Sequence, residues 1–268
     1  MASTSGELTV RSGRVKHARR LATRAFRAAE REFLAEGPQA VREALAEAGV
    51  VLEVFATAEA TGQHRDLVAA AGRLPWHVVG DDVVEAIADT VRPQGVVARC
   101  AAVDVTLEAL LSTRPGFVVV CADVRDPGNA GAVIRCADAA GADGVVLAGD
   151  SVDPYNPKAV RATVGSVFHL PLVVERDVER TIAALRASGL QVLAADGGGG
   201  VALFDEELDL TRPTAWLMGN EAWGLPEPTR RLADAVVSVP IYGRAESLNL
   251  ATAAAVCLYA TARSRHGS

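Results

Sequence analysis

The fold is decided by the stretch Phe117-Val118-Val119-Val120-Cys121-Ala122-Asp123-Val124-Arg125-Asp126-Pro127-Gly128-Asn129-Ala130-Gly131-Ala132-Val133-Ile134-Arg135. Its first six residues are apolar without a break. A strand of that kind is covered on both faces, as in a parallel sheet packed between helices. Asp126-Pro127-Gly128-Asn129 then turns the chain and Ala130 opens a helix. A glycine at such a junction suits a loop that receives a nucleotide. The spacing is not GxGxxG, however, and no acid closes the next strand, which disfavours a dinucleotide. Arg135 is otherwise set among Ala, Val, Ile and Cys. It must find an ion-pair partner, snorkel to solvent or point into a polar cleft.

The alternation continues downstream. Strands are expected at 144–148, 170–174, 190–195, 214–218 and 235–239, with helices at 130–140, 158–164, 178–187, 227–232 and 248–263. Such β-α alternation argues for a parallel sheet with right-handed crossovers. Upstream, Ala18, Leu21, Ala22, Ala25, Ala29 and Phe33 recur every three or four residues, which predicts one helix over 15–34. Gly37-Pro38 punctuates, and a helix over 39–48 ends at Gly49. Strands at 50–56, 76–79 and 95–98 alternate with helices at 66–71 and 82–88, so residues 1–105 read as a small α/β domain. Residues 101–115 hold no strong strand. Arg114-Pro115-Gly116 marks the linker to a second domain, 106–268.

A chain of 268 residues is long enough to bury two such cores. Only 4% of it is aromatic, so those cores are built from Ala, Val and Leu. No apolar run reaches the 18 or so residues of a membrane span, and Met1 to Val10 lacks the apolar core of a signal peptide. Cys100, Cys121, Cys136 and Cys257 show no CxxC pairing, which predicts buried, reduced thiols, no metal site and a cytoplasmic protein. The net charge of −6 does not itself advertise nucleic acid. Its distribution does: Arg11, Arg14, Lys16, Arg19, Arg20, Arg24, Arg27 and Arg31 face one anion in that interval, Glu30. Such a stripe neutralises phosphates or is merely a solvated helix face.

Two more polar islands stand against apolar elements. One is Met218-Gly219-Asn220-Glu221-Ala222-Trp223-Gly224-Leu225-Pro226; the other is Val239-Pro240-Ile241-Tyr242 followed by Glu246-Ser247-Leu248-Asn249-Leu250. Read alone, Gly219 lets a ligand approach backbone, Glu221 caps a helix beginning near Pro226, and Ser247 and Asn249 are helix N-caps. In this order, the islands and Asn129–Arg135 resemble the three signature motifs of the SpoU/TrmH family of the SPOUT superfamily. Those enzymes transfer a methyl group from S-adenosylmethionine to a ribose 2′-hydroxyl of RNA. The likeness runs from about Phe117 to Ala262.

What the resemblance implies is specific. The fold would be α/β, with an N-terminal substrate-binding domain like ribosomal protein L30e and a C-terminal domain tied in a trefoil knot. The first of these is suggested by Phe33-Leu34-Ala35-Glu36-Gly37 before an Ala-rich helix. Arg135, Asn129, Glu221, Ser247 and Asn249 would form the catalytic centre. Gly219, Val239 and Leu248, joined by Ala195, Ile241 and Leu250, would hold the cofactor, largely through backbone groups. Asp153–Thr163 resembles a segment on the RNA side, where Lys158 and Arg161, a helical turn apart, would meet phosphate or solvent. Four glycines, Gly197 to Gly200, fall where the family has a cofactor loop. A ribose hydroxyl needs its proton removed, yet arginine stays protonated. Arg135 would therefore act as a desolvated base, or clamp phosphate while a phosphate oxygen takes the proton.

The expectation is a homodimeric, S-adenosylmethionine-dependent RNA ribose 2′-O-methyltransferase acting on ribosomal RNA. A tRNA substrate and a non-catalytic RNA-binding or ribosome-assembly protein are the alternatives.

Overall fold

The computed structural model describes residues 8–267; the polar run through residue 7 lies outside them. By compactness the chain divides into two units. One comprises the residues up to Val103 together with Tyr155–Phe168, and the other Asp104–Pro154 with the residues from His169 onward.

The first unit is a four-stranded sheet flanked by helices. It runs through α1 (Gly13–Arg20), α2 (Arg24–Glu30), β1 (Glu32–Glu36), α3 (Pro38–Ala46), β2 (Val51–Thr57), α4 (Ala58–Gln63), α5 (Arg65–Ala71), β3 (Trp76–Val79), α6 (Asp81–Ile87) and β4 (Val96–Ala101). The strand order is β1-β4-β2-β3, with only β2 and β3 parallel.

The single helix expected over 15–34 is corrected to two helices and a strand. Arg27 donates from one guanidinium nitrogen to the carbonyls of Leu21 (2.7 Å) and Ala22 (2.9 Å), satisfying the end of α1. Arg31 then adopts a left-handed conformation, φ 57°, which stops α2. Phe33, Leu34 and Ala35 continue as a buried strand. The same carbonyl bonds remove Arg27 from the cationic stripe.

The sequence reading kept Tyr155–Phe168 with the second domain, but in the structure this segment packs with the first unit. It carries α9 (Pro157–Thr163) and a 3₁₀ turn at Ser166–Phe168. The rings of Tyr155 and Phe168 stack on Phe33, with centroids 4.5 Å and 5.8 Å away. The Val103 amide donates to the Tyr155 hydroxyl at 2.8 Å.

The second unit consists of α7 (Leu107–Ser112), β5 (Phe117–Ala122), α8 (Pro127–Ala139), β6 (Gly144–Ala148), β7 (Leu172–Glu175), α10 (Val178–Ala187), β8 (Gln191–Ala195), β9 (Val201–Ala202), β10 (Thr214–Met218), α11 (Glu227–Arg230), β11 (Ala235–Ser238) and α12 (Leu250–His266). Its seven strands are all parallel, in the order β7-β6-β5-β10-β8-β11-β9. The late strand β10 lies between β5 and β8, and both β5 and β10 are buried along their whole length. Trp216, on β10, is fully buried, and its indole donates to the Thr261 hydroxyl of α12 at 2.8 Å. That bond fixes the last helix on the sheet.

Candidate active site

The carboxyl ends of β8, β10 and β11 open into a cavity of about 410 Å³. Ligands of open parallel sheets bind at this edge, where loops of one orientation collect and the strand order reverses. Gly219, Val239, Leu248, Ala195, Ile241 and Leu250, the six residues read as cofactor contacts, all line it, as does Ser247.

Gly219 has a different reason for being glycine from the one read in the sequence. A Cβ there would lie 2.5 Å from the Gly224 carbonyl carbon and 2.7 Å from the Leu225 nitrogen. The close approach is therefore by the chain's own backbone. Asn220 and Gly224 exchange both amide-to-carbonyl bonds at 2.9 Å, and Gly224 takes φ +66°. Asn220, nearly buried, ties this loop to β5 by donating to the Asp123 carbonyl at 2.6 Å.

At the lip of the cavity the three motifs meet. The Asn129 side chain donates to the Glu221 carboxylate at 3.2 Å, and the Asn249 side chain donates to the Asn129 amide oxygen at 3.0 Å. Residues up to 120 positions apart thus form one polar chain. Glu221 does not cap a helix near Pro226. It accepts from the Asp126 and Arg125 backbone amides at 3.2 Å and 3.4 Å, before α8, while Asp126 itself accepts from the Asn129 amide. Asn249 serves two ends: its oxygen caps α12, accepting from Ala251 and Thr252, while its nitrogen reaches Asn129. Placing an anion at a helix N-terminus is favourable, so Glu221 also steadies the helix that carries Arg135.

Arg135 itself stands apart. It is exposed on α8, does not line the cavity, and has no hydrogen bond or ion pair among the described residues. Six residues of helix place it roughly 9 Å along the axis from Asn129 and turned to another face. The Glu221–Asn129–Asn249 chain therefore receives no charge from Arg135.

The lining suits a positively charged adenosine derivative. It includes three carboxylates, those of Asp196, Glu221 and Glu246, and no Lys, Arg or His. The aliphatic side chains of Val237, Val239, Ile241 and Leu248 supply an apolar wall for a ring. Asp196, Glu246 and Trp223 were not assigned in the sequence reading. Asp196 adjoins the four glycines, and it is held by the Gly198 amide at 2.9 Å and by Arg230 at 3.5 Å.

Burial disfavours the thiolate form at each cysteine. Burial, with a contribution from the Glu221 charge, pushes Cys121 up to about 12, and burial does the same to Cys257. Burial raises Cys100 and Cys136 as well. All four cysteines are free.

In the first unit, Arg11, Arg14, Lys16, Arg19, Arg20 and Arg24 are exposed. Arg14 is tethered to the buried Glu53 at 2.9 Å, and Arg20 lies 3.9 Å over the Phe26 ring. Burial alone would raise the Glu53 carboxyl, but hydrogen bonds from Arg99, Arg14 and His77 hold it below its usual range. Arg161, expected to face phosphate, pairs with Asp89 at 2.8 Å and sits 3.5 Å from Glu36, so part of its charge is already met. Lys158 is exposed on the same helix.

Comparison with known proteins agrees with this geometry. Residues 116–259 match the SpoU rRNA Methylase family, and residues 13–98 match the MRM3-like substrate binding domain. The chain is 34% identical over 251 residues to the 23S rRNA (guanosine(2553)-2'-O)-methyltransferase RlmP of Bacillus subtilis, covering 94% of this chain and 96% of that protein. An AdoMet-bound rRNA methyltransferase from Sinorhizobium meliloti superposes with a TM-score of 0.83 at 35% identity, over 97% of this chain and 98% of that one. The SpoU methyltransferase AviRb from Streptomyces viridochromogenes, also in complex with AdoMet, gives 0.81 at 34% identity, over 95% and 99%. With an all-parallel sheet, a cavity at its carboxyl edge and a family match across that whole region, this chain belongs to the SpoU rRNA methylase family.

Proposed function

We infer that this protein is an S-adenosylmethionine-dependent ribosomal RNA ribose 2′-O-methyltransferase. The observation that carries the reading is the Glu221–Asn129–Asn249 chain at the lip of a carboxylate-lined cavity. The cofactor supplies an electrophilic methyl on a sulfonium, whose positive charge the Asp196, Glu221 and Glu246 carboxylates suit. The aliphatic wall and backbone groups around Gly219 and Leu248 grip it. Asn129 and Asn249, each held by a partner, present amides where the acceptor ribose enters, and Ser247 adds a hydroxyl at the same mouth. These residues would hold the acceptor ribose beside the bound cofactor, and that proximity would supply a rate advantage.

Several finer points belong to the same proposal. The protein works as a homodimer, with Arg135 of one subunit completing the cavity of the other. Supporting this, Arg135 is unpartnered, and α12 is buried along only one side while Tyr259 stands 54% exposed. We read Arg135 as a protonated clamp on the phosphate beside the acceptor, whose oxygen receives the hydroxyl proton. The insertion of β10 between β5 and β8, followed by α12 packing back on β10, fits a trefoil-knotted chain. The first unit binds RNA through the stripe Arg11, Arg14, Lys16, Arg19, Arg20 and Arg24, with Lys158 and Arg161 approaching further phosphates. No membrane and no metal enter the reaction, and a ribosomal substrate goes with a cytoplasmic enzyme.

Mapping 2′-O-methyl groups in total RNA from cells with and without the gene tests the function. One ribosomal position should lose its methyl group, with recovery by the wild-type gene and not by Asn249→Ala. A site lost from tRNA instead would move the substrate. An unchanged map, with no AdoMet-dependent methyl incorporation into that RNA by the purified protein, would leave the non-catalytic alternative. The stripe is tested by salt dependence. Replacing Arg11, Lys16, Arg19 and Arg24 with Gln should flatten the slope of log affinity against log salt by roughly 0.7–0.9 for each phosphate that is no longer neutralised. An unchanged slope would reduce the stripe to a solvated face.

A further inference from the structure

Trp223 stands out among the three tryptophans. Trp216 is wholly buried, and Trp76 is half-buried with its indole donating to Thr61 at 3.1 Å. Trp223 is 52% exposed, lines the mouth of the cavity, and its indole nitrogen has no hydrogen-bond partner among the described residues. It does not hang on a loose segment, because the paired Asn220–Gly224 bonds close its loop and Asn220 anchors that loop to the Asp123 carbonyl. The Arg125 guanidinium lies over the indole, 5.1 Å from the ring centroid. Arg125 is itself braced by Asp150 at 3.4 Å, and its amide donates to Glu221. A rigid, exposed aromatic ring backed by a planar cation therefore adjoins the carboxylate that holds Asn129.

We propose that Trp223, supported by Arg125, is a stacking platform for an unpaired nucleobase of the RNA next to the acceptor ribose. The proposal rests on the RNA-methyltransferase reading and adds a positioning residue to it. The chemistry follows from what RNA offers. A-form helices display their 2′-hydroxyls in a shallow groove, whereas an unpaired nucleotide can be splayed out so that its ribose reaches a cavity recessed behind a lip. Unstacked bases are held on aromatic rings and guanidinium planes. The π-face of Trp223 accepts a base of any identity, while the Arg125 charge answers the adjoining phosphate. The platform thus sets the position of the strand more than its sequence.

Trp223→Ala should raise the KM for deproteinised ribosomal RNA roughly ten- to a hundredfold, the range that loss of one base stack gives. The change in kcat should be much smaller. Trp223→Phe should restore most of the loss, and the Kd for AdoMet should stay within about twofold of wild type. Stacking is not ionic, so the slope of log affinity against log salt should be the same in wild type and Trp223→Ala. The fluorescence of Trp223, taken as the difference between wild type and Trp223→Phe, should be quenched on adding the RNA. An unchanged KM in Trp223→Ala, or an AdoMet Kd raised as much as the RNA KM, would overturn the proposal. Wild-type protein that methylates no RNA would instead defeat the underlying reading, and the quenching arm would still decide whether Trp223 meets a base.

Discussion

Arg135→Ala is expected to lower methyl transfer by about a thousandfold or more while folding and AdoMet binding stay at wild-type levels. Removing one well-placed donor to developing charge costs about 10² to 10³ in rate, and Arg135 offers several donors plus a full charge. The structure explains why the loss should be so selective. The side chain is exposed and does not line this cavity, so its removal opens no core void and strips nothing from the cofactor wall. Arg135→Lys should recover only part of the activity, because an ammonium keeps the charge but not the planar fork that grips phosphate. The test of the shared site is complementation. Arg135→Ala and Asn249→Ala proteins, each inactive, are dissociated and reassociated together. In a mixed dimer one cavity retains its own Asn249 and receives Arg135 from the other chain. Random pairing then returns up to about a quarter of wild-type activity, since half the dimers are mixed and each has one intact site. No recovery in verified mixed dimers, or a monomer by light scattering, would refute the shared site.

How much of this was legible in the sequence depends on how local the cause is. Strands β5 and β10 were readable because β5 is an unbroken apolar run of strand length and β10 is one after Thr214, and both prove buried throughout. The first helix was misread because the break between α1 and α2 rests on the Arg27 guanidinium reaching back to two carbonyls, which no periodicity reports. Phe33 fitted a helical spacing equally well, and only its pairing with β4 makes it a strand. Helix α7 was passed over, although Thr106 accepting from the Ala109 amide is an ordinary N-cap that the sequence did display. In the site, the residue kinds were legible and their convergence was not. Whether Glu221 caps the helix after it or receives Asn129 is decided by a partner 92 residues away. The role of Trp223 was hidden for a similar reason. A tryptophan between Ala222 and Gly224 reads equally well as a core residue or a surface one, and only the closed loop exposes it.

Gly219→Ala is expected to weaken AdoMet binding by about a hundredfold or more, equivalent to about 2.7 kcal/mol. A methyl group there would stand 2.5–2.7 Å from Gly224 and Leu225 backbone atoms, far inside contact distance, and backbone cannot swing aside as a long side chain does. The loop from Asn220 to Leu225 must move away from β10. Its displacement breaks the paired Asn220–Gly224 bonds and shifts Glu221, on which Asn129 depends. One methyl group therefore disturbs both the cofactor wall and the polar chain at the lip, so turnover should fall at saturating AdoMet as well. Gly200→Ala is the matched control. Gly200 lies in the run of glycines beside the same cavity, and a Cβ there meets nothing within 4 Å. That variant should bind AdoMet within about twofold of wild type and gain slightly in stability, since alanine narrows the unfolded ensemble. Titration calorimetry with AdoMet on both variants, alongside their melting curves, separates loss of the site from loss of the fold. Wild-type affinity in Gly219→Ala would show that the loop gives way freely, and that the backbone clash does not govern the cofactor wall.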